Sequence, residues 1–137
     1  MHVIFESPAL NEIQTKHIVL ELDTIRFVPE NCLIKTWCLL EKIPLQEFST
    51  IESNKKIHQD LMTQYRLKNW DFCMQAIGAL LGAWNGELDE FYTAMGERIR
   101  ELIQHPPGKD WDGCLIRSSI KPQEGAVVEA DFLGDGV

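Results

Sequence analysis

The sequence predicts one α+β domain over residues 1–120, followed by a flexible acidic tail over 121–137. Two observations predict this class. Residues 16–41 hold two runs with the composition of strands, whereas residues 45–104 carry apolar side chains at helical spacing. The chain has 137 residues, the length of one domain, and 45% of them are hydrophobic. That composition is sufficient for a buried core.

An antiparallel β-hairpin is predicted over about 16–27 and 32–41. In the first run Ile18, Leu20 and Leu22 share one face, and the charged residues lie mostly on the other. A Pro-Glu-Asn turn separates this run from the second one, CLIKTWCLLE. Because a lone hairpin is marginal in water, we expect its apolar face to pack on the helices that follow.

The two ends of the chain give weaker patterns. Residues 1–15 are expected to form an irregular or weakly extended lead-in. The run CLIRSSI, which begins at Cys114, is expected to add a short strand to the hairpin. Residues 121–137 hold one lysine and four acidic residues, and we interpret them as a flexible or partner-dependent tail.

A bundle of about three helices is predicted over about 45–67, 70–84 and 87–104. Ser53-Asn54 is expected to break the first helix, and Asn69 is expected to cap the second. The apolar stripe of the second helix is Trp70, Cys73, Met74, Ile77, Leu80, Leu81 and Trp84. The stripe of the third helix is Leu88, Phe91, Tyr92, Met95, Ile99, Leu102 and Ile103. These two helices should form an antiparallel hairpin around the Asn-Gly bend.

The charge of the chain argues against two classes of partner. Thirteen basic and 21 acidic residues give a formal charge of −8, without a local cluster of Lys and Arg. Such a chain is poorly suited to bind nucleic acid or an anionic membrane surface. No apolar run approaches the length of a membrane span, and the first residues lack the pattern of a secretory signal. We therefore expect a cytoplasmic protein with reduced thiols.

No motif for a metal, a cofactor or a nucleophile is evident. The four cysteines and four histidines are dispersed, without CxxC or HExxH spacing. The glycine-rich phosphate-binding motifs GxGxxG and GxxxxGK[ST] are missing. Cys73 lies in an apolar stripe and is expected to act as a small hydrophobe. We therefore predict no catalytic, cofactor-binding or metal-ligating residue.

Acidic residues cluster at two places that have a structural explanation. Glu87, Asp89 and Glu90 open a predicted helix, where negative charge complements the exposed amides. Asp110 and Asp112 flank a tryptophan in a compact turn, which could also hold a divalent ion. As contact residues for a protein partner we choose the exposed C-terminal turn, with Trp111 and Asp112.

A spaced set of residues in 57–113 carries a resemblance to a known family. The set is Ile57, Tyr65, Asn69-Trp70, Ala76, Glu87-Leu88-Asp89, Tyr92, Arg98-Ile99, Pro106-Pro107 and Asp110-Trp111-Asp112-Gly113. It resembles the helical tail that follows the catalytic domain of many bacterial class III adenylate/guanylate cyclases. In that family a Tyr-xxxx-Trp helical hairpin, similar to one tetratricopeptide unit, ends in a PP-xx-WDG element.

This resemblance covers a little under half of the chain. The 56 residues before it are far shorter than a cyclase catalytic domain and have no counterpart to its metal-binding aspartates. Cyclase activity is therefore not implied, whereas a helical pair that packs on a partner or on itself is. The whole chain also resembles small proteins of marine T4-like phages, through KHIVLELDTIRF and NWDFCMQAIGALLGAWNGELDEFY. That likeness implies only a small accessory protein.

Three functions are compatible with these observations. The first is a non-enzymatic accessory or protein–protein interaction module that binds a protein partner or itself. The second is a phage structural or assembly component, located in the virion or in the host cytoplasm. The third is a small metal-dependent enzyme that uses the Asp110–Asp112 turn or the Glu87–Glu90 cluster. We predict the first of these, without a cofactor.

Overall fold

A computed structural model describes residues 2–8, 10–28, 31–40, 48–117 and 127–129. The chain divides into two compact units. The sheet unit comprises Met1–Glu41 and Gly113–Val137, and the helical unit comprises Lys42–Asp112, which is inserted between them. The predicted α+β class is confirmed. That residues 1–120 form one domain, with the hairpin packed on the helices, stays a prediction.

Within the described residues, the sheet unit contains five strands and one short helix. The elements are β1 His2–Phe5, α1 Leu10–Lys16, β2 Ile18–Phe27, β3 Cys32–Leu40, β4 Leu115–Arg117 and β5 Val127–Glu129. The strand order is β4-β2-β3-β1-β5. β2 and β3 form the predicted antiparallel hairpin, and β4 is the predicted added strand, parallel to β2.

The lead-in is more regular than its sequence indicates. β1 lies between β3 and β5 and is antiparallel to both, and Val3, Ile4 and Phe5 are buried. α1 then connects β1 to the parallel strand β2, with β3 lying between the two strands. This connectivity is a split βαβ arrangement. Of the two predicted alternatives, an extended lead-in is correct for His2–Phe5, whereas α1 was not expected. The full pairing of β1 was missed because it depends on partners distant in sequence.

A β-bulge changes the phase of β2. Glu21 pairs with Trp37 and Thr24 pairs with Lys35, which leaves two residues of β2 opposite Thr36. The Thr36 hydroxyl donates a hydrogen bond to the Asp23 carbonyl at 2.6 Å. Because the extra residue shifts the alternation, Ile25 is fully buried, although unbroken alternation from Leu20 would place it on the opposite face.

The predicted acidic tail lies mostly outside the described residues. Its described part, Val127–Glu129, forms β5 and pairs antiparallel with β1. This strand extends the sheet beyond the predicted hairpin.

The helical unit contains three long helices within the described residues, as predicted. They are α2 Phe48–Arg66, α3 Trp70–Leu80 and α4 Asp89–Gln104. α2 continues through Ser53 and Asn54, so the predicted break there was wrong. Both residues are polar and lie on the solvent side of an amphipathic helix, where they are tolerated.

α3 ends four residues earlier than predicted. Gly82, Trp84, Asn85 and Gly86 all have positive φ, so the chain turns while the apolar pattern continues. The Gly82 amide donates to Asp89 Oδ1 at 2.9 Å, which stabilises the turn. Trp84 is still buried, as the stripe indicated, but it lies in a separate 3-10 turn, Trp84–Gly86, and not in α3.

Side-chain contacts define the directions of the three helices. Along α3, Trp70 contacts Tyr65 and Cys73 lies beside Leu61, so α3 runs back along α2. Ile77 lies beside Gly96 and Gly82 contacts Asp89, so α3 is also antiparallel to α4. α2 and α4 are therefore parallel, and the C-terminal ends of α2 and α4 lie at the same end as the start of α3. Most residues of the predicted stripes form the core, which includes Leu80 and Met95 at zero exposure, whereas the stripe residues Leu81 and Ile103 are exposed.

Candidate functional site

A tight turn between α2 and α3 positions the first part of the candidate site. The Lys68 amide donates to the Tyr65 carbonyl at 3.1 Å, and the Asn69 amide donates to the Gln64 carbonyl at 3.0 Å. With Lys68 in the left-handed region at φ 63°, this is a Schellman motif. Asn69 occupies the predicted capping position, but its side chain does not cap α3. Its amide group donates instead to Gln64 Oε1 at 3.0 Å.

Three aromatic rings meet beside this turn. The ring centroids of Tyr65 and Trp70 are 5.7 Å apart, those of Tyr65 and Trp111 are 5.5 Å apart, and those of Trp70 and Trp111 are 5.7 Å apart. All three pairs are edge-to-face, a geometry that adds about 0.5–1.5 kcal/mol per pair beyond burial. We call these three residues the aromatic triad. It joins the end of α2, the start of α3 and the turn after α4.

Two cations contact the aromatic triad. The Lys68 ammonium lies 5.7 Å from the centroid of Trp111. The Arg98 guanidinium lies 5.8 Å from the centroid of Tyr65, and its Nη1 donates to the Tyr65 hydroxyl at 3.3 Å. Cation–π contacts of this kind are worth about 0.5–1 kcal/mol at exposed sites. Arg98 therefore connects α4 to α2 within the cluster.

The two predicted contact residues differ in their surroundings. Trp111 is partly buried, and its ring packs on Tyr65 and Trp70. Asp112 is exposed. Lys68 and Asp112 therefore place charges of opposite sign near a tryptophan that is held by its neighbours.

The acidic residues at 87–90 and 110–112, which were considered as metal ligands, form no metal site within the described part of the chain. Among the residues that the structure describes, no three His, Cys, Asp or Glu side chains could hold a metal ion together. Asp110 is exposed in its turn. Asp89, one of the acidic residues at 87–90, accepts a hydrogen bond from the Gly82 amide and so has a structural role.

A second polar cluster lies in the core of the helical unit. His58 Nδ1 and the Tyr92 hydroxyl are hydrogen-bonded at 2.8 Å, and Trp84 Nε1 donates to the same hydroxyl at 3.1 Å. His58 and Tyr92 have no exposed surface, and Phe91 packs against both rings. This network holds α2, the turn before α4 and α4 together.

Cys73 has the properties of a structural thiol. It is fully buried, and its Sγ lies 4.0 Å from the Leu61 carbonyl. Burial raises the pKa of the Cys73 thiol to about 11, although a backbone hydrogen bond acts in the opposite direction. The thiolate is the nucleophilic form, so this cysteine is unsuited to nucleophilic chemistry near neutral pH.

Sequence reasoning identified Trp111 but not the residues that hold it. Tyr65 and Trp70 belong to the spaced set that resembles the cyclase tail, and this spacing was the available signal. Lys68 gave no signal, because glycine or asparagine is the usual residue at a left-handed helix end. The His58–Tyr92 pair also gave none, since the two residues are 34 positions apart.

Comparisons with known proteins assign no family to this chain. Searches against protein-family models, curated proteins and solved structures gave no match. Of the helices in the described part of the chain, none has both the length and the apolar character of a membrane span.

Proposed function

We propose that this chain is a non-enzymatic accessory module that binds a protein through the C-terminal turn of its helical unit, with Trp111 and Asp112 as contact residues. The observation that carries the proposal is a partly exposed tryptophan held on two sides by other rings. A side chain already fixed in the free protein loses little conformational freedom on binding. Tryptophan is also enriched among the residues that dominate binding energy. Lys68 and Asp112 supply a polar rim to this contact.

We also propose that the helical unit is a single tetratricopeptide-like unit, followed by the first helix of a second one. Contacts between the parallel helices support this assignment. His58 contacts Tyr92 at an offset of 34 residues, and Tyr65 contacts Arg98 at an offset of 33. The tetratricopeptide repeat has a period of about 34 residues. Units of this kind serve as interaction scaffolds, which fits an accessory role.

We propose a cytoplasmic location. Cys32 and Cys73 are free thiols, and Cys73 is buried. Unpaired cysteines are typical of a reducing compartment.

The proposal is tested by affinity capture with the purified full chain as bait, in extract of cells that make it. Asp112→Lys should lose a captured protein that Glu52→Lys retains. Glu52 is exposed on α2, and its replacement changes the net charge by the same amount.

The captured protein is then purified and titrated calorimetrically against both variants and against Trp111→Leu. We expect the Asp112 and Trp111 variants to bind roughly tenfold more weakly or worse. Equal binding by all variants would contradict the proposal.

A further inference from the structure

We infer that the end of the helical unit that carries Trp111 binds a second copy of this chain. This inference rests on the proposed function and names the partner. The contact would be isologous, which means that the same surface of each copy meets its counterpart across a two-fold axis. Three features of the described residues lead to this conclusion: exposed apolar side chains, the balance of charge and the rigidity of the aromatic triad.

Exposed apolar side chains are concentrated at this end. The directions of the helices place three of them at this same end: Leu67 after α2, Phe72 in the first turn of α3 and Ile103 in the last turn of α4. Their exposed fractions are 67%, 37% and 51%. They account for half of the six large apolar side chains that are exposed in the described part of the chain. Trp70 and Trp111 add partly exposed rings. A grouping of this kind marks an interaction surface more often than scattered exposed residues do.

The charge at this end is nearly balanced, in contrast to the chain as a whole. Five basic residues (Arg66, Lys68, Arg98, Arg100 and Lys109) and four acidic residues (Asp71, Glu101, Asp110 and Asp112) lie here. The whole chain has a formal charge of −8, so two copies repel each other at most relative orientations. Repulsion is weakest where the facing surfaces are neutral. A surface with both signs can also pair with itself across a two-fold axis.

A second copy therefore fits this end better than a strongly charged partner does. A basic partner would be drawn to the acidic remainder of the chain and not to a neutral end. The aromatic triad gives each copy a preformed apolar contact that needs no rearrangement. We expect a weak dimer with a dissociation constant on the order of micromolar, since the surface is small and mixed in character.

The experiment is sedimentation equilibrium of the purified full chain over a concentration series that spans the micromolar range. Leu67→Asp and Ile103→Asp each place a negative charge at this end. Leu81→Asp places the same charge at the opposite end of the helical unit, on a leucine that is 46% exposed. All three residues are exposed, so each variant should fold, which circular dichroism verifies. The control carries the same added charge and therefore removes general repulsion from the comparison.

We expect Leu67→Asp and Ile103→Asp to weaken dimerisation by roughly tenfold or more, and Leu81→Asp to leave it unchanged. A chain that stays monomeric throughout the series would overturn the inference, and so would equal weakening by all three variants. Binding of a different protein through Trp111 by a strictly monomeric chain would overturn this inference alone and leave the proposed function standing.

Discussion

The helical unit and the sheet unit are built from contacts of different range in sequence. Each helix of the helical unit carries its own apolar stripe, and consecutive helices are neighbours in space. In the sheet unit β1 pairs with β5, more than a hundred residues later, and β2 pairs with β4 across the whole helical insertion. Local pattern is therefore a good guide to the first unit and a poor guide to the second.

The largest expected effect tests whether β1 is as integral to the sheet as its position indicates. Phe5 is fully buried on a strand with a neighbour on each side. Phe5→Ala should therefore lower the free energy of unfolding by about 3–5 kcal/mol, because a large cavity would remain. Urea unfolding measures this, with Glu6→Ala, an exposed neighbour, as the control. A loss near zero would favour the irregular lead-in that the sequence alone indicated.

In the helical unit the next largest effect concerns the buried thiol of Cys73. Its folded pKa of about 11 is above that of an unfolded cysteine, so alkaline pH ionises the thiol in the unfolded chain first. The stabilising contribution is complete below the unfolded pKa and is lost as pH rises towards 11. The loss should approach roughly 2–3 kcal/mol above pH 11 and should reach about half of that near pH 10.

The measurement compares urea unfolding of the native chain and of Cys73→Ala at neutral pH and near pH 10. Other groups titrate in this range, but they do so in both proteins, so the difference between the two isolates Cys73. The native chain should lose more stability than the variant. Parallel loss in both proteins would show that burial of this thiol is not linked to pH.

The difference between local and long-range contacts also explains which elements could be predicted from the sequence. The hairpin and three helices were predicted because β2, β3, α2, α3 and α4 are each nine or more residues long, which is enough for a helical period or a strand-like composition to show. β1 has four residues and β5 has three, too few to show a period. The end of α3 was misplaced because Trp84 continues the apolar stripe from a turn. Apolar spacing reports which residues are buried, and it does not report backbone conformation.

The candidate site was predictable only in part for a related reason. Trp111 stands out in its turn, whereas its contacts with Tyr65 and Trp70 join segments about 40 residues apart. In the sequence these positions show only a spacing, without a geometry. The structure shows that the three rings meet, and this is the feature on which the functional proposal depends.

A smaller effect tests the bulge in β2, where the burial of the side chains departs from the alternation of the sequence. Thr36→Val keeps the shape of the side chain but removes the hydroxyl that donates to the Asp23 carbonyl. The expected loss of unfolding free energy is about 1–2 kcal/mol, since Thr36 is fully buried and loses a hydrogen bond. Thr24→Val, on the partly exposed face of the same sheet, serves as the control in thermal unfolding. An equal effect of both changes would assign no special role to the bulge contact.

The smallest expected effect tests the turn that positions the aromatic triad. Lys68 has a φ of 63°, a conformation in which any side chain with a Cβ is strained by about 1–2 kcal/mol. Lys68→Gly removes this strain together with the cation above Trp111, whereas Lys68→Ala removes the cation alone. The glycine variant should therefore be more stable than the alanine variant by about 1 kcal/mol. Arg66→Gly and Arg66→Ala, at the last residue of α2, should show the opposite order, because glycine weakens a helix. If the alanine variant were the more stable at both positions, Lys68 would continue the helix and the rings of the triad could not meet as described.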